Sequence, residues 1–322
     1  MKTVLVTGGA GFIGSRTILQ LLISGNVRVV CVDNFDDTYD RSFKEQNVRQ
    51  FSDNSSYVQY EADITDKDAI NEIFEKEKPT HILHLAAKAD TRDAILNPQT
   101  YIDTNITGSL NILEAAKTHN VENIVAASSS SVYGNNERVP WQESDQDLHP
   151  ISPYGVTKYA FENLAYTYHL HFSLPITLLR YFNVYGENNR PGMVPYKWAE
   201  AMLTDKQIEI SGDGERRRDY TYVGDTVRGT IAALWKPLGF EIINLGHGSP
   251  LSLNELLALF EKTTGEKAAF TSRASHPGSV EHTYADATKA YKLLGWKPKV
   301  SHEIGIQRLV DWFRENRLKK PQ

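Results

Sequence analysis

The chain has one cysteine, Cys31, in 322 residues, so no internal disulfide can form and a reducing compartment, the cytoplasm, is its expected home. It lacks any apolar run approaching the ~20 residues that a membrane span requires. Its opening residues, MKTVLVTGG, read as a short strand and a glycine turn, without the pattern of a secretory signal. It has no surplus of positive charge: Lys and Arg number 35 against 40 Asp and Glu, a net charge of −5, which argues against a general nucleic-acid binder. Low-complexity linkers are absent, and nothing repeats beyond a strand–helix rhythm. No metal site is expected. What remains is an ordinary globular composition, 40% apolar and 23% charged, long enough for one large domain or two unequal ones.

The first half alternates apolar, β-rich runs with helical stretches. Thr3–Thr7, Val27–Val32, Tyr57–Tyr60, His81–Leu85, Asn123–Ala127 and Pro175–Tyr181 read as strands. Helices are expected at Phe12–Ser24, Lys67–Lys78 and Gln99–Thr118. Apolar strands separated by helices indicate a parallel sheet covered on both faces, and right-handed crossovers make a doubly wound α/β (Rossmann) sheet the simplest topology. From about residue 183 the texture becomes richer in Gly, Pro and Asn. This predicts a Rossmann domain over 1–182 and a smaller C-terminal α/β substrate lobe over 183–322, with later segments returning to the first. A last helix is expected at Ile304–Arg314, with Ile306, Leu309, Val310 and Phe313 on one face.

Between the first strand and first helix lies Gly8-Gly9-Ala10-Gly11-Phe12-Ile13-Gly14, in which Gly8, Gly11 and Gly14 have GxxGxxG spacing. Such glycines permit a tight turn, close approach to a pyrophosphate and tight helix–strand packing, while the helix N-terminus offers N–H groups to the phosphates. Asp33 ends the second strand where a carboxylate can bind the adenosine ribose. The residues that follow, Asn34 and Phe35, offer nothing to a 2′-phosphate, so NAD is expected over NADP. Asp63 and Ile64 after the third strand, and Leu85, Ala86 and Ala87 at the end of the fourth, fall where ligands meet open α/β sheets.

Tyr154-Gly155-Val156-Thr157-Lys158 places a tyrosine and a lysine on one helix face. A tyrosine of pKa ~10 needs nearby positive charge to act as a base at neutral pH. Lys158 supplies that charge and can also hold a nicotinamide ribose. Earlier, Ser128-Ser129-Ser130-Ser131 follows the fifth strand; one of these hydroxyls can orient a substrate hydroxyl and relay its proton.

The combined pattern resembles the extended short-chain dehydrogenase/reductases, in particular their nucleotide-sugar epimerase branch, over essentially the whole chain. The likeness runs on through TNITG at Asn105, LLRYFNVYG (Leu178–Gly186), RRRDYTYVGD (Arg216–Asp225), HPGSVEHTYAD (His276–Asp286) and LGW (Leu294–Trp296). It implies Ser129, Tyr154 and Lys158 as catalytic residues, with bound NAD and a homodimer in which Phe161, Leu164, Ala165 and Tyr168 supply either the subunit face or core. Asn105 is implied as a brace for the central helix in the cofactor site. A UDP-sugar is the implied substrate, touched by Lys88, Arg92, Ser129, Ser130, Tyr154, Asn183, Arg190 and Arg218.

Ser130 and Ser131 stand where dehydratases and decarboxylases of the superfamily carry acids, which favours simple C4 epimerisation. ENNRPGM and DNFDDTYD are most similar to UDP-glucuronate 4-epimerases, a likeness in which Arg190 would face the substrate carboxylate; a loop ion pair with Glu187 is the alternative. Asn183, His276 and Ser279 depart from that pattern, Asn183 toward glucose/galactose epimerases. UDP-glucose/UDP-galactose (or N-acetyl) epimerisation, uronate decarboxylation and NAD binding without turnover are the other readings.

Overall fold

The computed structural model describes residues 1–274 and 280–318. Runs such as VRVVCVD are buried almost along their whole length, as a strand covered on both faces must be. Strands β1 (Lys2–Thr7), β2 (Val27–Asp33), β3 (Tyr57–Glu61), β4 (His81–His84), β5 (Asn123–Ser129) and β6 (Ile176–Tyr181) join a later strand, Phe240–Leu245, in one seven-stranded sheet. All its pairings are parallel, in the order β3-β2-β1-β4-β5-β6 with Phe240–Leu245 last. Strand order reverses between β1 and β4, which opens a crevice at their carboxyl ends.

Helices cover both faces: α1 (Phe12–Ser24), α2 (Arg41–Arg49), α3 (Lys67–Glu77), α4 (Thr91–Leu96), α5 (Pro98–Ile102), α6 (Ser109–Thr118) and α7 (Pro153–Phe172), then five more after residue 190 among the described residues. Side-chain alternation along each strand divides the core. Leu5, Val30 and Ile124 pack with Ile70, Phe74, Ile112 and Phe161 of α3, α6 and α7. Their neighbours Val4, Val29 and Val125 face Ile18 and Leu21 of α1 and Ala233, Leu234 and Ala290 from the second half. Asp66 caps α3 through the Ala69 N–H at 3.0 Å, and Ser152 caps α7 through the Gly155 N–H at 3.1 Å.

The single helix expected at Gln99–Thr118 is instead α5, a π-helical turn at Asp103–Gly108, and α6. Propensity alone does not reveal such a turn. It is recognised by what it does, which is to bury Asn105 against α7. Phe161, Ala165 and Tyr168, with Leu164 beside them, belong to the core, the second of the two uses expected of them.

A second core joins Tyr185, on the short strand Val184–Tyr185, with Tyr196, Trp198, Phe260, Leu309 and Phe313 on helices Val194–Leu203, Leu253–Thr264 and His302–Phe313. Strands Ile208–Ser211 and Phe270–Arg273 pair in parallel beside it. Helix Val223–Leu234, strand Phe240–Leu245 and helix Thr288–Leu294 return to the main sheet. No helix among the described residues is long and apolar enough to cross a membrane.

Candidate active site

A cleft of about 950 Å³ runs from the carboxyl ends of β1 and β4 into the second lobe. At one end the glycine loop leaves β1 for α1. A Cβ added to Gly14 would stand 2.2 Å from the Gly8 carbonyl oxygen, so only glycine lets the helix begin this close to the strand. No side chain caps α1, and its first-turn N–H groups stay available to an anion along the wall formed by Gly11, Phe12, Ile13 and Gly14. Asp33 accepts from the Ala10 N–H at 3.0 Å and the Phe35 N–H at 2.9 Å. Burial pushes its carboxyl up, against the pull of Lys44. Lys44 is itself held by Asp36 at 2.5 Å, so no free cation waits beside Asp33 for a 2′-phosphate among the described residues. Asn34 donates to Asp63 at 2.7 Å, and Ile64, Leu85, Ala86 and Ala87 complete this wall. A glycine cradle, an uncapped helix start and a buried carboxylate fit a dinucleotide without a 2′-phosphate.

Deeper in the cleft, Tyr154 and Lys158 project from α7. The Lys158 ammonium donates to the Ala127 carbonyl at 2.8 Å. Burial brings it down to about 8, and the Glu162 carboxylate pulls it back up. Burial raises the Tyr154 phenol above its ordinary value, while the Ser129 hydroxyl and the Arg190 guanidinium pull it down. The four serines divide. Ser128 turns away to donate to Glu162 at 2.5 Å, Ser129 accepts from the Ser131 N–H at 3.1 Å beside the phenol, and Ser130 and Ser131 line the cleft. No carboxylate stands at 130 or 131 to drive an elimination.

The expected substrate residues differ in their freedom. Lys88 lines the cleft, yet its ammonium pairs with Asp36 at 2.5 Å and donates to Thr38 at 2.8 Å. Arg218 spends its guanidinium on the carbonyls of Arg217, Val280 and Glu281. Asn183 has a left-handed backbone (φ 25°), and its amide oxygen accepts from Thr283 at 3.0 Å. Arg92 is an exposed residue of the wall. Arg190 donates to the Ala89 carbonyl, and no carboxylate among the described residues pairs with it. Glu187 is taken by Arg16 at 3.2 Å and by the Tyr222 hydroxyl at 2.9 Å, which overturns the loop ion pair. Asn105 needs a correction as a cofactor contact: it does not line the cleft. Its amide is spent on the backbone of Lys88, at 2.8 and 3.0 Å, and on the Thr157 hydroxyl at 3.0 Å, so it braces the segment after β4 against α7, the bracing role the resemblance implied. His276 and Ser279 lie outside the described residues.

Two residues that sequence reasoning passed over stand directly behind the site. Glu162 and Arg180, each 2% exposed, form a bidentate pair at 2.8 and 2.7 Å. Two signals were available: Glu162 falls one turn beyond Lys158 on the same helix face, and an arginine inside the apolar run ITLLRY must find a buried counter-charge.

Gly14→Ala is expected to displace the start of α1. Dialysed protein should then retain far less dinucleotide than the parent, measured by absorbance after acid release; equal retention would refute this role for the cradle.

A sequence profile of the family described as GDP-mannose 4,6 dehydratase matches residues 5–309. A UDP-glucuronate 4-epimerase of Thermodesulfobacterium geofontis is 42% identical over 98% of this chain and 97% of its own. Among solved structures, the UDP-glucuronic acid 4-epimerase of Bacillus cereus, in complex with UDP-glucuronic acid and NAD, is 35% identical with a TM-score of 0.90, covering 97% of this chain and 99% of that one. The UDP-glucose 4-epimerase of Thermotoga maritima, with UDP-glucose, is 36% identical with a TM-score of 0.89 at the same coverage. The chain belongs to this family of extended short-chain dehydrogenase/reductases, and within it to the NAD-dependent nucleotide-sugar 4-epimerases.

Proposed function

We propose that the chain interconverts UDP-glucuronate and UDP-galacturonate through a 4-keto intermediate. The observation that carries this reading is Arg190, a cleft guanidinium close enough to influence Tyr154 and free of any carboxylate partner among the described residues. Such a group suits the C5 carboxylate of a uronate, which must be held out of alignment with the C4 carbonyl to escape loss as carbon dioxide.

The remaining roles follow from chemistry and position. Ser129 orients the C4 hydroxyl, and Tyr154 takes its proton as the ketone forms and returns one to the C4 oxygen when the turned-over ketone is reduced on its opposite face. Lys158 supplies the positive charge that lets a phenol serve as a base near neutral pH. NAD, when bound, supplies reversible hydrogen exchange at C4, so no net redox change results. Asp33 holds the adenosine ribose and the start of α1 the pyrophosphate. Arg218 and Asn183 attend the nucleotide-sugar, while Lys88 and Arg92 border it. The second reading, a UDP-glucose/UDP-galactose 4-epimerase, rests on Asn183, which stands where the uronate enzymes carry Thr.

The same reading makes the protein a cytoplasmic homodimer, a setting that suits its buried free thiol, Cys31. With Phe161, Ala165 and Tyr168 committed to the core, the supporting feature is the outward surface of α4, α5 and α7. Leu96 there is 79% exposed, Val156 50% and Ile102 41%. Light scattering should give twice the chain mass, and Val156→Glu should lower it; a parent protein that scatters as a monomer ends this part of the reading.

Incubated with UDP-glucuronate, the protein should yield UDP-galacturonate by NMR. Tyr154→Phe should cut turnover about 10²–10⁴-fold while dinucleotide stays bound. UDP-xylose as product would mean decarboxylation, and conversion of UDP-glucose alone would remove the uronate. Arg190→Ala should cost about ten- to a hundred-fold in kcat/KM on UDP-glucuronate, the scale of one lost charged hydrogen bond. Any residual activity on UDP-glucose should stay within a few-fold; equal loss on both sugars would make Arg190 a structural residue.

A further inference from the structure

Along the inner face of α7, Tyr154, Lys158 and Glu162 recur every four residues, and each meets one of three consecutive residues ending β5. Lys158 bonds the Ala127 carbonyl at 2.8 Å, Glu162 accepts from Ser128 at 2.5 Å, and Ser129 reaches Tyr154. Arg180 enters from the neighbouring strand, where it is the ladder partner of Ser128, and closes on both Glu162 oxygens. Its guanidinium also stacks over the Tyr133 ring at 4.6 Å. A buried ion pair is weak evidence for stability, since its desolvation cost offsets most of the attraction. Nothing in the roles given above to Tyr154, Lys158 and Ser129 uses this pair.

We propose that Glu162, held by Arg180 and Ser128, is a positioning residue that keeps Lys158 an ammonium beneath Tyr154 and locks β5 in register with the catalytic helix. The inference rests on the reading of Tyr154 and Lys158 as the acid–base pair. The charges around Lys158 support it. On α7 itself stand Tyr154 and Glu162. From β4 comes His84, which burial and the lysine's own charge bring down to about 3, leaving it neutral and bonded to Thr7 and Ser109. From β5 comes only the Ala127 carbonyl, and from β6 comes Arg180, by way of Glu162. Arg190 acts on Tyr154 from the cleft side. Glu162 is therefore the one anion facing Lys158 among the described residues. Lysine, glutamate and arginine together leave one net positive charge in the interior, the sign a phenolate requires.

Opposite responses to two substitutions test the proposal. Lysine labelled with carbon-13 at Cε reports protonation by NMR, and the Lys158 signal is the one lost in Lys158→Met. In the parent its midpoint should lie near the value of about 8 that burial imposes. Glu162→Gln, leaving two cations without an anion, should lower the midpoint by about one pH unit or more; Arg180→Gln, leaving Glu162 to Lys158 alone, should raise it. Glu162→Asp should hold it near the parent value. The basic limb of kcat should follow the same directions. If the folded Glu162→Gln and Arg180→Gln variants leave the midpoint in place, or move it the same way, the proposal is overturned. Should Glu162→Gln prevent folding, Arg180→Gln remains decisive, because a merely structural role predicts no upward shift. The titration needs no turnover, so an inactive parent protein would count against the epimerase reading without touching this result.

Discussion

The structure depends on how closely α7 lies against the end of β5. At position 155 a Cβ would stand 2.7 Å from the Ser131 carbonyl oxygen, so the glycine of the YGVTK stretch is what lets the helix touch the turn. That contact sets everything around it. It carries the Lys158 ammonium to the Ala127 carbonyl, and it places the Tyr154 phenol where Ser129 acts on it. Asn105 holds the other side, joining the Lys88 backbone, in the segment after β4, to Thr157 on the same helix. Helix α7 is thus fixed by the end of β5, by the segment after β4 and by the π-helical turn that turns Asn105 inward. Rigid support of this kind is what acid–base chemistry needs, because a proton is passed only over hydrogen-bond distances.

Most of this was legible before any coordinates, for an identifiable reason. Strands of a parallel sheet are apolar on both faces, so VLVT and VRVVCV announce themselves without periodicity, and a glycine-rich loop between strand and helix has few other physical uses. The Tyr–Lys pair is local, both members on one helix face. The illegible features are those that join distant parts of the chain. For Asn105 the resemblance implies the brace but not its partners, and the sequence alone gives no sign that its amide is spent on Lys88 and Thr157 instead of on a cofactor. Ser128 and Ser129 look alike until the pleat of β5 sends one toward Glu162 and the other toward Tyr154. Lys88 reads as a substrate contact, but its ammonium is paired with Asp36, a carboxylate it shares with Lys44.

The second lobe raises the question of what holds a substrate loop in register with a cofactor site on a different layer. Here the loop bearing Arg190 rests on the first domain. Asn188 donates to Asn47 at 2.8 Å, and Asn47 donates to the Ala10 carbonyl at 3.0 Å, inside the glycine loop itself. One residue earlier, Glu187 pairs with Arg16 on α1. Ala10 also donates its N–H to Asp33, so a single residue is tied at once to the carboxylate ending β2 and to the loop bearing Arg190. A shift of the glycine loop is therefore felt at Asn188, two residues from the guanidinium.

That arrangement also accounts for Arg190 remaining available. A surface loop with Glu three residues before Arg would ordinarily close on itself. Glu187 is prevented from doing so by two better partners, the Arg16 cation and the Tyr222 hydroxyl, at 16% side-chain exposure where competition from water is reduced. Holding Glu187 on α1 leaves the neighbouring guanidinium facing the cleft, near enough to act on the Asp90 carboxyl and the Tyr154 phenol, and its hydrogen-bond partners among the described residues are the Ala89 carbonyl and the Met193 sulfur. Neither neutralises its charge. The ion pair that anchors the loop is thereby also what keeps Glu187 from pairing with Arg190.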